Sequence, residues 1–253
     1  MGIEYADIKS ILSALKHELP EGRGRLLILG DAHIHFSANQ YISLAEDLGY
    51  ELSSFPEVLD PFSLGKSLGF VSTDTLDING KASITLDLQQ RLPHDLLGKF
   101  DCLIDAGVLF WCFDPGVVLK NLYRLVKIDG VIAHITGVSG FYGRCYYNIH
   151  PLVLEDFYRC NQCRYISASY RAVPKRTSLA MRLKGLLGAK CTPGLVSYTS
   201  SPGNIYLDES RAGVISFCRT LRTPESDVIP NNAIGTLIFK KCSNVEPQSP
   251  LRS

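Results

Sequence analysis

Apolar positions divide the chain into helix-like and strand-like segments. Ile8, Ile11, Leu12, Leu15 and Leu19 recur at three- and four-residue spacing, so Tyr5–Leu19 reads as an amphipathic helix, stopped by Pro20, Gly22 and Gly24. Leu26–Leu29 is a short continuous apolar run, the pattern of a buried strand, and Gly30 follows directly. A helix over Ala38–Leu48 closes at Gly49-Tyr50, and Glu51–Phe55 reads as the next short strand. Between Pro56 and Asp77 turn residues dominate, with one candidate strand, Phe70–Ser72. Ser83–Leu86 is a further strand candidate, and Gln89–Lys99 a loop with about one helical turn.

The stretch Phe100–Ile135 has the clearest pattern. An apolar run, Cys102–Ile104, ends on Asp105. Val117, Val118, Leu122, Leu125 and Val126 then recur at helical spacing with Lys120, Arg124 and Lys127 between them. Asp129-Gly130 is the expected helix stop, and Val131–Ile135 the next strand. Strand, helix and strand at this spacing form a βαβ unit, and strands apolar on both faces belong to a parallel sheet covered by helices on both sides. Further on, Pro151 opens a helix over Leu152–Arg159. Arg164–Ala172, Val214–Leu221 and Ile234–Lys240 read as strands, and Thr177–Leu187 as a short basic helix. The fold class predicted is α/β, a Rossmann-like, doubly wound and mostly parallel sheet.

Composition narrows the function classes. The chain has 253 residues and a formal net charge of +1, which gives no basic field for nucleic acid. No run reaches the roughly 18 apolar residues of a membrane helix, the first residues lack the apolar core of a secretory signal, and the Met-Gly start lacks the Ser or Thr of a myristoylation site. Eight cysteines without such a signal point to reduced thiols and a cytoplasmic protein. Cys160 and Cys163 form a lone CxxC without a second pair, and are read as ordinary thiols. The organisation expected is an N-terminal helix (1–24), one domain (25–243) with an insertion near 175–212, and a loose tail (244–253).

In this order the chain resembles class I S-adenosylmethionine-dependent methyltransferases, over about Arg25–Tyr170. The most specific part is the segment from Phe100 to Ile135, which resembles that family's fourth strand, following helix and fifth strand. The segment is more narrowly similar to bacterial methyltransferase-like proteins of polysaccharide and secondary-metabolite pathways, in which a strand ending in Asp-Leu, here Asp87-Leu88, precedes the fourth strand. The resemblance implies a seven-stranded sheet whose last strand runs antiparallel, with Val214–Leu221 the candidate. It implies S-adenosylmethionine as cofactor and a small molecule or sugar as methyl acceptor. Gly30 and Ala32 stand at the Gly-rich turn, Asp77 at the ribose position, and Asp87 at the adenine, with Leu88 against the ring. Asp105, at the tip of its strand, is the candidate catalytic carboxylate facing the cleft. Trp111, Tyr146, Tyr147 and His150 are the candidate acceptor-binding residues. Two departures stand out. Ile28 and Ile34 occupy an acidic and a Gly position of the first motif, and Phe110-Trp111 replaces a Glu-His pair of the narrower group. They also admit a catalytically inactive, ligand-binding relative.

A different motif overlaps the first turn. DAHIHF, Asp31–Phe36, is also how metal-dependent hydrolases begin. Alternate residues of a strand share a face, so His33 and His35 could ligate one ion, with His134 as third ligand. The bland alternative is that His33 and His35 are surface loop residues and His134 a satisfied core imidazole. The methyltransferase order, which leaves no metal site, is preferred because the βαβ after Phe100 fits it without gaps.

Overall fold

A computed structural model describes residues 2–19, 24–141, 144–172 and 233–250. The elements are β1 (Gly2–Ile3), α1 (Tyr5–Glu18), β2 (Arg25–Leu29), β3 (His33–Ile34), α2 (Ala38–Asp47), α3 (Pro61–Ser67), β4 (Ser72–Asp77) and β5 (Ile84–Thr85). They continue with β6 (Phe100–Asp105), α4 (Pro115–Leu125), β7 (Val126–Ser139), α5 (Pro151–Cys160), β8 (Cys163–Ala172) and β9 (Ala233–Lys241). Seven strands form one sheet in the order β5-β4-β2-β6-β7-β9-β8. β5, β4, β2, β6 and β7 are mutually parallel, whereas β9 is antiparallel to both of its neighbours. This is the doubly wound, mostly parallel α/β sheet expected.

Strand periodicity explains why both faces must be covered. Leu27, Leu29, Leu103 and Ile132 point to one side, where Val118 and Leu122 of α4 and Leu154 of α5 meet them. Leu26, Ile28, Ile104 and Val131 point to the other, against Ile8, Ile11 and Leu15 of α1, Tyr41 and Leu44 of α2, and Leu64 of α3. α1 is sealed to the sheet by a buried polar cluster. The Asp7 carboxylate, 1 % exposed, accepts from Arg171 Nη2 (2.9 Å), Thr236 Oγ1 (2.7 Å) and the Glu4 N–H (2.9 Å).

Several expectations are corrected. Glu51–Phe55 is not a strand: β4 takes the place beside β2, and the Ser53 N–H goes to the Ser67 carbonyl (2.8 Å). The unread segment holds α3, started by Asp60, whose carboxylate accepts from the Phe62 and Ser63 N–H groups (2.8 Å each), with Pro61 at its first position. The strand expected at Phe70–Ser72 runs instead over Ser72–Asp77, so Asp77 ends it rather than following it. The helix expected to stop at Asp129-Gly130, α4, ends at Leu125, four residues before Asp129. Val126 is buried and pairs with Phe100, and the chain passes directly into β7. Asp129 (φ 64°) then marks an irregularity in that strand. Among the described residues the antiparallel strand is β9, Ala233–Lys241. Its apolar run Ile234–Phe239 is buried on both faces, which suits an interior strand. Val214–Leu221, the Thr177–Leu187 helix and the 175–212 insertion lie outside the described residues.

The expected loose tail is docked through residue 250. The Gln248 N–H donates to Asn161 Oδ1 (2.7 Å), Asn161 Nδ2 returns to the Gln248 carbonyl (2.9 Å), and the Tyr123 hydroxyl donates to the Ser243 carbonyl (2.8 Å). Beneath it, Lys241 is fully buried, its ammonium on the carbonyls of Tyr123 (3.0 Å) and Val126 (2.8 Å) at the end of α4.

Candidate functional site

Ligands of open α/β sheets lie outside the carboxyl ends of the strands, where the strand order reverses. Here that edge is formed by the ends of β2, β4 and β6. Gly30 closes β2 with φ +82°, and its N–H donates to the Leu76 carbonyl (2.8 Å). A Cβ at Gly30 would lie 3.0 Å from Val108 Cγ2 and 3.9 Å from Asp77 Oδ2, so the ends of three strands converge on this glycine. A side chain is excluded by both space and conformation, which leaves bare backbone at the centre of the edge. Asp77 is held by backbone alone: Oδ2 accepts the Asp31 N–H (3.0 Å) and Oδ1 the Asn79 N–H (3.0 Å). Ala32 is buried in the core below, so only its backbone can face a ligand.

Asp87 accepts the Gln89 N–H (2.9 Å), and this bond is the main cause that lowers its carboxyl pKa below the usual value. The neighbouring Leu88 is 3 % exposed and turned into the core rather than open to a ring, because its carbonyl is tied to Asn121 Nδ2 (2.8 Å) on α4. Gln89 Oε1 accepts the Asp114 N–H (2.9 Å), which joins this loop to the start of α4.

Asp105 does not face the cleft. It is fully buried, and both oxygens are engaged. Oδ1 accepts the N–H groups of Gly107 (3.1 Å) and Val108 (2.7 Å), and Oδ2 bonds His134 Nδ1 (2.9 Å). His134, also fully buried, uses its other nitrogen on the Tyr158 hydroxyl (2.7 Å). Burial raises the Tyr158 pKa well above the ordinary phenol range, so its hydroxyl keeps its proton and can donate to a neutral Nε2. Nδ1–H then donates to the carboxylate, and every polar atom of the chain Tyr158–His134–Asp105 has a partner. The expected exposed carboxylate is thus an internal strut that holds the turn at Gly107 and Val108. His134 is the satisfied core imidazole, unavailable to a metal.

The turn leads to a short 3-10 segment, Leu109–Trp111. Phe110 packs into the core at 1 % exposure, while Trp111 is 52 % exposed. The Phe110 carbonyl receives the N–H groups of both Tyr146 (3.1 Å) and Tyr147 (3.3 Å), so the loops after β6 and β7 are fastened together. Cys112 lies behind this wall. Burial, with the nearby charges of Asp105 and Asp87, pushes its thiol up to about 11. His150 has a separate setting: it precedes α5, accepts the Leu152 N–H on Nδ1 (3.2 Å), and lines an open groove with Val153, Asp156 and Pro250.

Four residues of this edge were missed in the sequence: Val108, Phe113, Asn121 and Tyr158. Only Phe113, an aromatic two positions after Trp111, carried a readable signal. His33 and His35 are exposed on β3 and just beyond it, with ring centroids 6.3 Å apart. Among the described residues no group of three His, Cys, Asp or Glu side chains is arranged to hold a metal ion.

The strand order with one antiparallel strand beside the last decides the architecture. It is the seven-stranded arrangement that the resemblance to class I S-adenosylmethionine-dependent methyltransferases implies. No protein-family model matches the chain, and no curated protein matches its sequence. Solved structures match it in fold at low identity. A methyltransferase from Archaeoglobus fulgidus is 12 % identical, with 92 % of this chain and 94 % of that one covered and a TM-score of 0.42. The 1,6-didemethyltoxoflavin N1-methyltransferase of Burkholderia thailandensis, solved with its substrate and S-adenosylhomocysteine, is 12 % identical, covers 94 % and 79 %, and scores 0.42. The YcgJ protein of a Bacillus is 12 % identical, covers 93 % and 100 %, and scores 0.42. Such likeness concerns fold alone, and the activity of this methyltransferase-fold chain has to be read from its own side chains.

Proposed function

We propose that this protein binds S-adenosylmethionine at the edge formed by Gly30, Asp77, Asp87 and the Val108 turn, and transfers its methyl group to a small molecule or sugar held near Trp111, Tyr146 and Tyr147. The observation that carries the reading is the convergence on Gly30, where three strand ends leave backbone free of side chain beside a carboxylate fixed by two N–H groups. That cradle fits an adenosine. Bare backbone allows close approach, Asp77 retains acceptor capacity for ribose hydroxyls, and Asp87, held anionic, suits the adenine amino group. Ala32 would contribute backbone only, and Leu88 the floor beneath.

The cofactor, when bound, supplies an electrophilic methyl on sulfonium. What the chain must supply is position: holding two reactants in line converts a bimolecular step to an effectively unimolecular one. Asp105 serves this indirectly, as a positioning residue that fixes the Gly107–Val108 turn. With it buried, the loop after β6 offers the wall aromatic surface rather than a base. This favours, as second reading, a relative that binds ligand without turnover. The metal-hydrolase alternative loses its third ligand with His134 bound to Asp105 and Tyr158. The proposal places the protein in the cytoplasm.

Calorimetric titration with S-adenosylhomocysteine tests the cofactor site. Asp77→Ala should weaken binding about tenfold or more, the scale of a lost hydrogen bond to a charged group. Unchanged affinity would remove Asp77 from the site, and no binding by the native chain would sink the proposal. Formation of S-adenosylhomocysteine from S-adenosylmethionine in the presence of acceptor separates the two readings.

A further inference from the structure

Four aromatic side chains stand exposed on the two loops that border the Gly30 edge. Trp111 is 52 % exposed, Phe113 73 %, Tyr146 66 % and Tyr147 39 %. Large aromatics exposed together and held in place mark a binding surface, since each leaves much apolar area in water. They are held. Tyr146 and Tyr147 hang by their N–H groups from the Phe110 carbonyl, the Tyr147 hydroxyl donates to the Phe113 carbonyl (3.0 Å), and the Phe113 and Tyr146 rings meet edge to face at 6.2 Å. The buried ring of Phe110 backs them, 6.0 Å from Trp111 and 6.1 Å from Phe141.

The cluster is continuous with the cradle. The Trp111 N–H donates to the carbonyl of Val108 (2.9 Å), the residue whose side chain flanks Gly30. Among the described residues, the charged neighbours Asp114 and Arg144 have other contacts: Asp114 caps α4 through the Val117 N–H (3.0 Å), and the Arg144 guanidinium lies 4.6 Å from the Phe141 ring. A sugar or a phosphate ester needs several polar partners, whereas a flat neutral ring needs faces and edges to stack on.

From this we infer that the acceptor is a planar, uncharged aromatic molecule, bound by stacking among Trp111, Phe113 and Tyr146. The inference rests on the cofactor reading above and narrows its acceptor class.

Trp111 is the single tryptophan of the chain, so its emission reports on this surface alone. The full-length protein, with and without S-adenosylhomocysteine, is titrated with 4-nitrobenzyl alcohol, a neutral aromatic that quenches tryptophan, and with methyl glucoside. Cofactor-product binding is followed separately by calorimetry. Saturable quenching is expected, with Tyr146→Ala and Phe113→Ala each raising the half-saturation concentration about fivefold, the scale of one aromatic pair. Both variants should keep native affinity for S-adenosylhomocysteine. Linear, purely collisional quenching, displacement of the probe by methyl glucoside, or burial of Trp111 by concentration-dependent self-association would overturn the inference while leaving the cofactor site standing. Saturable quenching without S-adenosylhomocysteine binding would support the aromatic site and defeat the methyl-transfer reading.

Discussion

Replacing Tyr158 by Phe deletes one oxygen and leaves nearly all packing in place, including the stack of this ring on Phe239 at 4.4 Å. The loss falls on His134, whose Nε2 would become a buried acceptor without its donor. Leaving such a group unsatisfied costs about 1–3 kcal/mol. For a chain of this size each kcal/mol lowers Tm by about 2–4 °C. His134→Leu acts one step further along the chain. It strips Asp105 Oδ2 of its donor inside a fully buried site, and leaving a buried charged acceptor unsatisfied costs more than leaving a neutral one. The network therefore requires an order, His134→Leu worse than Tyr158→Phe, with both worse than an exposed control such as Val71→Thr. Urea unfolding followed by Trp111 emission and by circular dichroism measures all three. The affinity for S-adenosylhomocysteine should fall with His134→Leu and stay near native with Tyr158→Phe, because Asp105 Oδ1 holds the turn beside Gly30. If Tyr158→Phe is neutral within experimental error, or the order is reversed, the buried chain does not carry the strut role assigned to it.

Other perturbations test separate parts of the molecule. Asp7→Ala removes the carboxylate bound to Arg171 and Thr236 and should destabilise by about 3–5 kcal/mol in denaturant unfolding; a loss under about 1 kcal/mol would mean the cluster is solvated. Cys112, with its thiol raised to about 11 from an ordinary 9.0, keeps its proton in the folded state. Its alkylation by iodoacetamide, read by peptide mass spectrometry, should rise with pH up to about 11, and an inflection near 9.0 would show that the thiol is open to water.

The fold was legible wherever apolar periodicity and burial coincide. β2, β6 and the apolar half of β7 lie at the centre of the sheet, covered on both faces, and α4 covers one of those faces, so their sequence pattern is dictated by the core. Edges and connections were less legible. α3 carries Gly65 and two serines, which depress helix propensity, and Gly65 is required because a Cβ there would strike the Thr73 side chain on β4. The Glu51–Phe55 segment has strand-like residues but no vacant sheet position, a constraint that only topology imposes. Asp129-Gly130 is a sound helix stop by composition. It lost to Val126, whose burial beside Phe100 begins the strand five residues earlier than expected.

At the site, sequence spacing located backbone better than side chains. Gly30 follows β2, whose end periodicity located, whereas Asp77 ends β4, which runs five residues beyond the strand expected at Phe70–Ser72. Asp105 also ends its strand, yet its carboxylate turns inward. What decides its direction is His134, paired with Asp105 across β6 and β7 in register, and Tyr158 beyond it on α5. A polar residue in the middle of an apolar strand therefore signals a partner on the neighbouring strand, and His134 in the run Val131–Ile135 was that signal. Its consequence is chemical: once Asp105 is committed to His134 and to the Gly107–Val108 turn, the edge retains rigid backbone, two outward carboxylates and a rim of aromatics. In the proposed function such a set would hold and orient ligands, and its contribution to rate would come from placing the acceptor in line with the methyl group.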